Sequence, residues 1–122
     1  MSAPEFLRAD PGSPAWRSPL RRALANAPGG IRDVSADVGP EEEVALGFAA
    51  GLAGIELDGP HVETLLRRLT DVRLDRLPAV GAVSHVRALV TRVDGGRYRI
   101  WFAQEYADYL AEVVLDAAEG LA

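Results

Sequence analysis

The fold of this chain is decided by residues 52–70, which read LAGIELDGPHVETLLRRLT. The first six residues have the short apolar character of a strand, and Asp58-Gly59-Pro60 ends that strand. The next segment, His61–Thr70, repeats its apolar residues at the i, i+3, i+4, i+7 spacing of an amphipathic helix. Those apolar residues are Val62, Leu65, Leu66 and Leu69. The stretch therefore predicts a strand followed directly by a helix.

The residues after this stretch predict a hairpin and a closing helix. Two β-like runs, Val83–Val93 and Arg97–Phe102, are joined by Asp94-Gly95-Gly96, where glycines that tolerate positive φ favour a tight turn. A helix is expected from about Gln104 to about Ala118. Its apolar stripe consists of Tyr106, Tyr109, Leu110, Val113, Val114 and Ala117. Together these elements predict an α+β fold, a small βαββα unit with a ferredoxin-like core.

The first half of the chain gives weaker signals. Residues 1–15 are predicted to form a flexible arm, because they contain several prolines and few large apolar side chains. A short helix is expected to begin at Ser18-Pro19, and a brief strand is expected within Ile31–Ser35. The segment Val44–Ala50 fits a short helix or a strand, and the sequence leaves both open. Residues 16–122 are predicted to form one α+β domain.

Composition narrows the possible environments. The chain has 122 residues, with 48% hydrophobic and 25% charged content, as in ordinary globular proteins. No apolar run approaches the ~18 residues that a membrane span needs. The N-terminus also lacks the basic start and apolar core of a secretory signal. We therefore expect a cytoplasmic protein with no membrane contact.

The residue inventory excludes several kinds of chemistry. The sequence has no cysteine, so it can form neither a disulfide nor a thiolate nucleophile. All 13 basic residues are arginine, which excludes a Schiff-base lysine and a phosphate-loop lysine. The net charge of −5 argues against non-specific nucleic-acid binding, which depends on neutralising phosphates. No nucleic-acid partner is therefore expected.

No catalytic or metal-binding residue is predicted. The only two histidines, His61 and His85, have no other ligand at metal-binding spacing. Ser84 adjoins His85 at the start of a predicted strand, where neighbouring side chains point to opposite faces. The glycine-rich stretch Gly47–Gly54 precedes a strand, whereas phosphate-binding glycines follow one. Close backbone packing or a flexible loop explains these glycines better.

One group of side chains could form a binding surface. Arg87, Arg97, Arg99 and Trp101 fall on one predicted face of the hairpin. Arginine forks suit carboxylates and phosphates, and tryptophan offers a stacking surface. The same pattern fits a solvated sheet face on which long side chains shield Trp101. Both interpretations stay open, and Arg97, Arg99 and Trp101 are the weak candidates for contacting a cofactor.

The second half of the chain resembles the folate-binding superfamily of glycine-cleavage T-protein. The resemblance is carried by residues 54–70, by Leu77-Pro78-Ala79-Val80-Gly81, and by the hairpin and closing helix that follow. Within this superfamily, the element Arg17-Ser18-Pro19-Leu20 is similar to the start of the gamma subunits of heterotetrameric sarcosine oxidase. The resemblance covers residues 17 to about 118. It implies that this chain is half of a T-protein-like folate-binding domain.

The resemblance also implies an assembly role. The chain would be a non-catalytic gamma-type subunit of a bacterial, cytoplasmic, flavin-dependent oxidase or dehydrogenase of sarcosine or other N-methyl amino acids. It would bind no cofactor alone, whereas FAD or FMN, NAD and tetrahydrofolate would belong to larger alpha- and beta-like subunits. The partner interface is expected to include Tyr106, Tyr109, Trp101 and Arg87. The alternative is a free-standing module that binds folate or another aromatic anion, and a weaker one is an RNA-binding module.

Overall fold

A five-stranded antiparallel sheet forms the centre of the structure, a computed structural model that describes residues 16–47 and 51–121. The strands are β1 (Ile31–Asp33), β2 (Leu52–Asp58), β3 (Ala79–Val83), β4 (Val86–Asp94) and β5 (Arg97–Ala103). The helices are α1 (Pro40–Leu46), α2 (Val62–Leu69) and α3 (Ala107–Glu119). Short 3-10 turns occur at Ser35–Asp37, Leu74–Arg76 and Gln104–Tyr106.

The strand order β1-β2-β5-β4-β3 confirms the predicted fold class. Strand β5 lies between β2 and β4 and pairs antiparallel with both. From β2 the chain runs through α2, the three strands β3, β4 and β5, and then α3, so β3 is added to the predicted βαββα unit. This arrangement is an α+β fold compatible with a ferredoxin-like core. Strand β1 adds a short edge on the free side of β2.

One face of the sheet carries the main core. Helices α2 and α3 cover this face, and the turns around Leu20 and Leu24 pack against it. The four apolar residues of α2 are all buried, as their helical spacing predicts. On β5, the alternate residues Tyr98, Ile100 and Phe102 point into this core. Each such aliphatic or aromatic side chain adds roughly 1.5–3 kcal/mol when fully buried.

A smaller core lies on the opposite face, beneath α1. It joins Trp101 to the apolar side chains Val34, Leu46, Leu52 and Leu89. Trp101 stands directly opposite Gly54 across the β2–β5 pair. A Cβ atom added to Gly54 would lie 2.5 Å from the Trp101 ring. Only glycine therefore leaves space for the indole here, in agreement with the predicted close backbone packing.

The predicted single strand over Val83–Val93 is wrong, because this region contains a hairpin. Ser84 and His85 form the two-residue turn between β3 and β4, with φ values of 47° and 74°. Positive φ at both central residues is typical of the tight turns that match strand twist. Asparagine or glycine usually occupies such positions, so Ser84-His85 carries no turn signal.

The one predicted hairpin, between β4 and β5, forms for a different reason than expected. Strands β4 and β5 pair as predicted, but neither Gly95 nor Gly96 has a positive φ. The Asp94 carboxylate instead accepts hydrogen bonds from the Gly96 N–H at 3.3 Å and from the Arg97 guanidinium at 2.6 Å. The Asp94 side chain therefore stabilises this turn.

The N-terminal part of the described chain differs from the predicted helix. Residues 19–26 form successive turns instead of a regular helix. Ser18 still accepts a hydrogen bond from the Leu20 N–H at 3.2 Å, as an N-cap would, and its hydroxyl donates to Asp33. Of the segment Val44–Ala50, for which helix and strand were both open, residues 44–46 form the end of α1, and residues 48–50 lie outside the described residues. The predicted arm, residues 1–15, lies outside the described residues.

Candidate functional site

The outer face of the sheet brings together the predicted arginines. Arg97 and Arg99 both lie on β5, and each forms an ion pair within the chain. Arg97 donates to Asp94 at 2.6 Å, and this contact holds the pKa of Asp94 below its ordinary value. Arg99 donates to Glu56 at 3.0 Å and lies 3.4 Å from Asp37. Neither guanidinium is therefore an unoccupied anion-binding group.

Glu56 is the centre of the charged row on this face. Strand register places Arg32, Glu56 and Arg99 side by side on β1, β2 and β5. The Glu56 carboxylate is 4% exposed and accepts a hydrogen bond from Arg32 at 2.7 Å. Burial alone raises the pKa of Glu56, but hydrogen bonds and charge from Arg99 and Arg32 outweigh it and lower the pKa. The row is a structural ion-pair cluster across three strands.

Trp101 and Arg87 do not complete a ligand site with these arginines. The Trp101 ring is 1% exposed, because α1 covers it, so it offers no stacking surface. Because Trp101 is buried, the predictions that it contacts a cofactor and that it contacts a partner are corrected. Arg87 is exposed, and its Nη1 atom donates to the Leu46 carbonyl at 2.8 Å, which ties β4 to the end of α1.

A cleft of about 740 Å³ lies at the end of β2. Its lining is mostly apolar and includes Ile31, Val62 and Leu65. The volume is typical of small-molecule pockets. However, the four polar side chains that line it, Asn26, Asp58, His61 and Glu119, are all exposed, and no buried polar side chain within residues 16–47 and 51–121 lacks a partner. The cleft therefore shows no buried polar group that is arranged to bind a ligand.

The two histidines stay apart from each other. His61 immediately precedes α2, whereas His85 occupies the β3–β4 turn, and both are exposed. Among the described residues, no group of three or more His, Cys, Asp or Glu side chains could hold a metal ion. No helix in the same residues has the length and apolar character to cross a bilayer.

The two predicted interface tyrosines do lie together on the surface. Tyr106 is 43% exposed and Tyr109 is 44% exposed, at the start of α3. The Tyr109 hydroxyl donates to the Ser84 carbonyl at 2.9 Å, which fixes its ring beside the β3–β4 turn. Arg87 lies on the other face of the sheet, so it does not share a surface with them. The tyrosines remain a predicted partner contact.

One feature of α3 escaped the sequence reading. Its exposed side carries a line of acidic residues beside the tyrosines. These residues are Asp108, Glu112, Asp116 and Glu119, continued by Glu105 in the 3-10 turn that precedes α3. Their spacing of three or four positions is the spacing of one helix face, and it was the available signal.

Comparison with known proteins finds similarity to solved structures but to no family model. No protein-family model matches the chain, and no curated protein matches it. A chain of the heterotetrameric sarcosine oxidase from Corynebacterium sp. U-96, solved in complex with pyrrole 2-carboxylate, is similar with a TM-score of 0.51 and 19% sequence identity. The match covers 59% of this chain and 40% of that chain. This chain therefore shares its α+β fold, at the level of a weak structural relationship, with part of a heterotetrameric sarcosine oxidase.

Proposed function

We propose that this chain is a non-catalytic, gamma-type subunit of a heteromeric, flavin-dependent oxidase or dehydrogenase that acts on sarcosine or related N-methyl amino acids. The observation that carries the proposal is the fold similarity to a chain of a heterotetrameric sarcosine oxidase. The motif Arg17-Ser18-Pro19-Leu20 and the strand–helix stretch 52–70 support it from the sequence side.

The residues of the chain fit a role without chemistry of its own. The sequence provides neither a thiolate nor a lysine amine for covalent catalysis. Glu56, the buried carboxylate among the described residues, is held between two arginines. In this proposal the flavin, NAD and tetrahydrofolate sites belong to larger partner subunits. The chain itself supports assembly and the folate-binding part of the large subunit.

The alternative of a free-standing folate or aromatic-anion module has less support. Such a module needs unoccupied arginine forks and an exposed aromatic face. Arg97 and Arg99 are occupied by Asp94 and Glu56, and Trp101 is buried. An anion would have to displace an internal carboxylate before it could bind.

Co-purification from the native cells tests the proposal. We expect the tagged chain, isolated under gentle conditions, to bring down larger subunits with a bound flavin and with sarcosine- or N-methyl amine-dependent activity. Recovery of the chain with no flavoprotein would refute the subunit role. Titration of the isolated chain with tetrahydrofolate separates the alternative, because saturable binding by the chain alone would favour the free-standing module.

A further inference from the structure

The net charge of the chain is confined to one segment. The sequence has 18 acidic and 13 basic residues, and five of the acidic residues fall within residues 104–122, which contain no basic residue. The preceding residues are therefore balanced, with 13 of each sign. The entire net charge of −5 lies on α3 and its flanking residues.

The acidic residues of this segment form what we term the α3 face, together with the two exposed tyrosines. Its members are Glu105, Tyr106, Asp108, Tyr109, Glu112, Asp116 and Glu119, and all are exposed. No ion pair joins any of the five carboxylates to another residue within 16–47 and 51–121. Arg32, Arg97 and Arg99, in contrast, all have acidic partners.

The placement of these charges does not help the isolated helix. Like charges three or four positions apart repel, as at Asp108, Glu112 and Asp116. Carboxylates in the last turn also oppose the helix dipole; α3 has no basic residue of its own there, and the Arg68 guanidinium of α2, which donates to the Ala117 carbonyl at 3.0 Å, compensates only in part. Residues that destabilise the helix on which they lie are expected at functional surfaces. An approaching cationic surface would relieve both conflicts.

We propose that the α3 face docks on a basic, lysine- and arginine-rich surface of the larger subunit, an inference that rests on the proposed function. Charge complementarity favours such a partner, and the line of carboxylates supplies a polar rim. Tyr106 and Tyr109 provide the amphipathic aromatic contacts that interfaces favour. Nucleic acid is an unsuitable partner, since its phosphates would meet five carboxylates. No described group of acidic residues fits a metal ion instead.

The absence of lysine makes the contact directly measurable. A carbodiimide couples a carboxylate to a touching lysine amine without a spacer. Because this sequence has no lysine, a second copy of the chain cannot supply that amine. We expect carbodiimide treatment of the native complex to couple the partner's lysines to Glu112 or Asp116, found by peptide mass spectrometry. The three consecutive acids Glu41–Glu43 on α1 are the internal control and should remain uncoupled.

Matched charge reversals test the same surface in the complex. Glu112→Arg with Asp116→Arg alters the α3 face, whereas Glu41→Arg with Glu43→Arg changes the net charge equally on α1. We expect the first pair to slow association about tenfold or more at low salt, with a smaller difference at high salt. The control pair should change the rate less than about twofold. Circular dichroism would confirm that both variants fold.

The outcomes separate the two proposals. The α3 docking surface is overturned if the α3 charge reversals and the α1 charge reversals weaken the complex equally. It is also overturned if the α3 reversals leave the complex unchanged and no carbodiimide coupling occurs on α3. The subunit role stands in both cases. If the wild-type chain recovers no flavoprotein, the proposed function fails, and the docking surface fails with it. Coupling at α3 together with selective weakening by the α3 pair would support both.

Discussion

Replacement of Gly54 by alanine is the sharpest test of how the smaller core around Trp101 is packed. Its new Cβ atom would lie 2.5 Å from Cζ3 and 2.6 Å from Cε3 of Trp101. Carbon atoms in contact prefer about 3.5–4.0 Å, so the indole would have to retreat by about 1 Å. Val34, Leu46 and other apolar side chains surround Trp101, and close-packed interiors yield little.

The backbone of Gly54 cannot move away instead. Its N–H donates to the Ser35 hydroxyl at 3.0 Å, and its carbonyl accepts from the Val34 N–H at 2.9 Å. Overpacking of this kind costs roughly 1–3 kcal/mol, and we expect the upper half of that range. With a urea m-value of about 1.5 kcal/mol/M, the unfolding midpoint would fall by about 1–2 M.

Urea unfolding followed by circular dichroism measures the effect. Gly29→Ala is the matched control, since an added Cβ there meets nothing within 4 Å. The control should be neutral or slightly stabilising. In addition, Trp101→Phe removes the clashing ring atoms, so Gly54→Ala should cost at least about 1 kcal/mol less in that background. A loss below about 0.5 kcal/mol for Gly54→Ala in the wild-type chain would refute this account of the packing.

Three further substitutions have defined outcomes. Glu56→Gln should lower the free energy of unfolding by about 1–3 kcal/mol near neutral pH, because it weakens charged hydrogen bonds to Arg32 and Arg99. The folded-state pKa of Glu56 is below its ordinary value of 4.5. The stabilisation from its charged form is therefore complete above pH 4.5 and is lost as the pH falls through the folded-state pKa. The unfolding free energies of the wild-type chain and Glu56→Gln, measured in urea, should converge as the pH is lowered. Tyr98→Phe should cost about 1–2 kcal/mol by urea unfolding, since this buried hydroxyl donates to Glu63 at 3.0 Å. His85→Gly should raise the free energy of unfolding by about 1 kcal/mol, because glycine adopts the φ of 74° without strain.

Each of these expectations has a contradicting result. A Glu56→Gln difference that is constant from about pH 7 to about pH 3 would show that the carboxylate does not titrate as a paired group. An unchanged midpoint for Tyr98→Phe would mean that water replaces the Glu63 contact. A destabilised His85→Gly variant would indicate that the imidazole makes a contact worth more than the backbone strain.

The core of the fold could be predicted from the sequence because its periodicity is strong. The stripe of α2 and the alternation on β5 leave one arrangement that buries all their apolar residues. Strand β3 could not be predicted, since Ser84 and His85 are unusual residues for positive φ. The helix expected after Ser18 also failed, because an N-cap signal does not ensure that a regular helix follows.

The candidate site was harder to predict than the fold. Glu56 and Arg99 are 43 positions apart, and only the β2–β5 register brings them together. The same register places the Trp101 ring over Gly54, where α1 encloses it. A sequence shows which residues share a strand face, but it does not show which neighbours occupy their polar groups. Arg97, paired with the nearby Asp94, is the exception that local spacing could have revealed.

The uneven charge of the chain also affects how it moves before any contact forms. The remaining sequence has equal numbers of acidic and basic residues, whereas the exposed carboxylates of the α3 face concentrate negative charge at that helix. In the field of a positively charged neighbour, the chain experiences a torque that turns α3 forward during diffusion. Encounters would then begin in a narrow range of orientations, so a larger fraction of collisions would lead to binding.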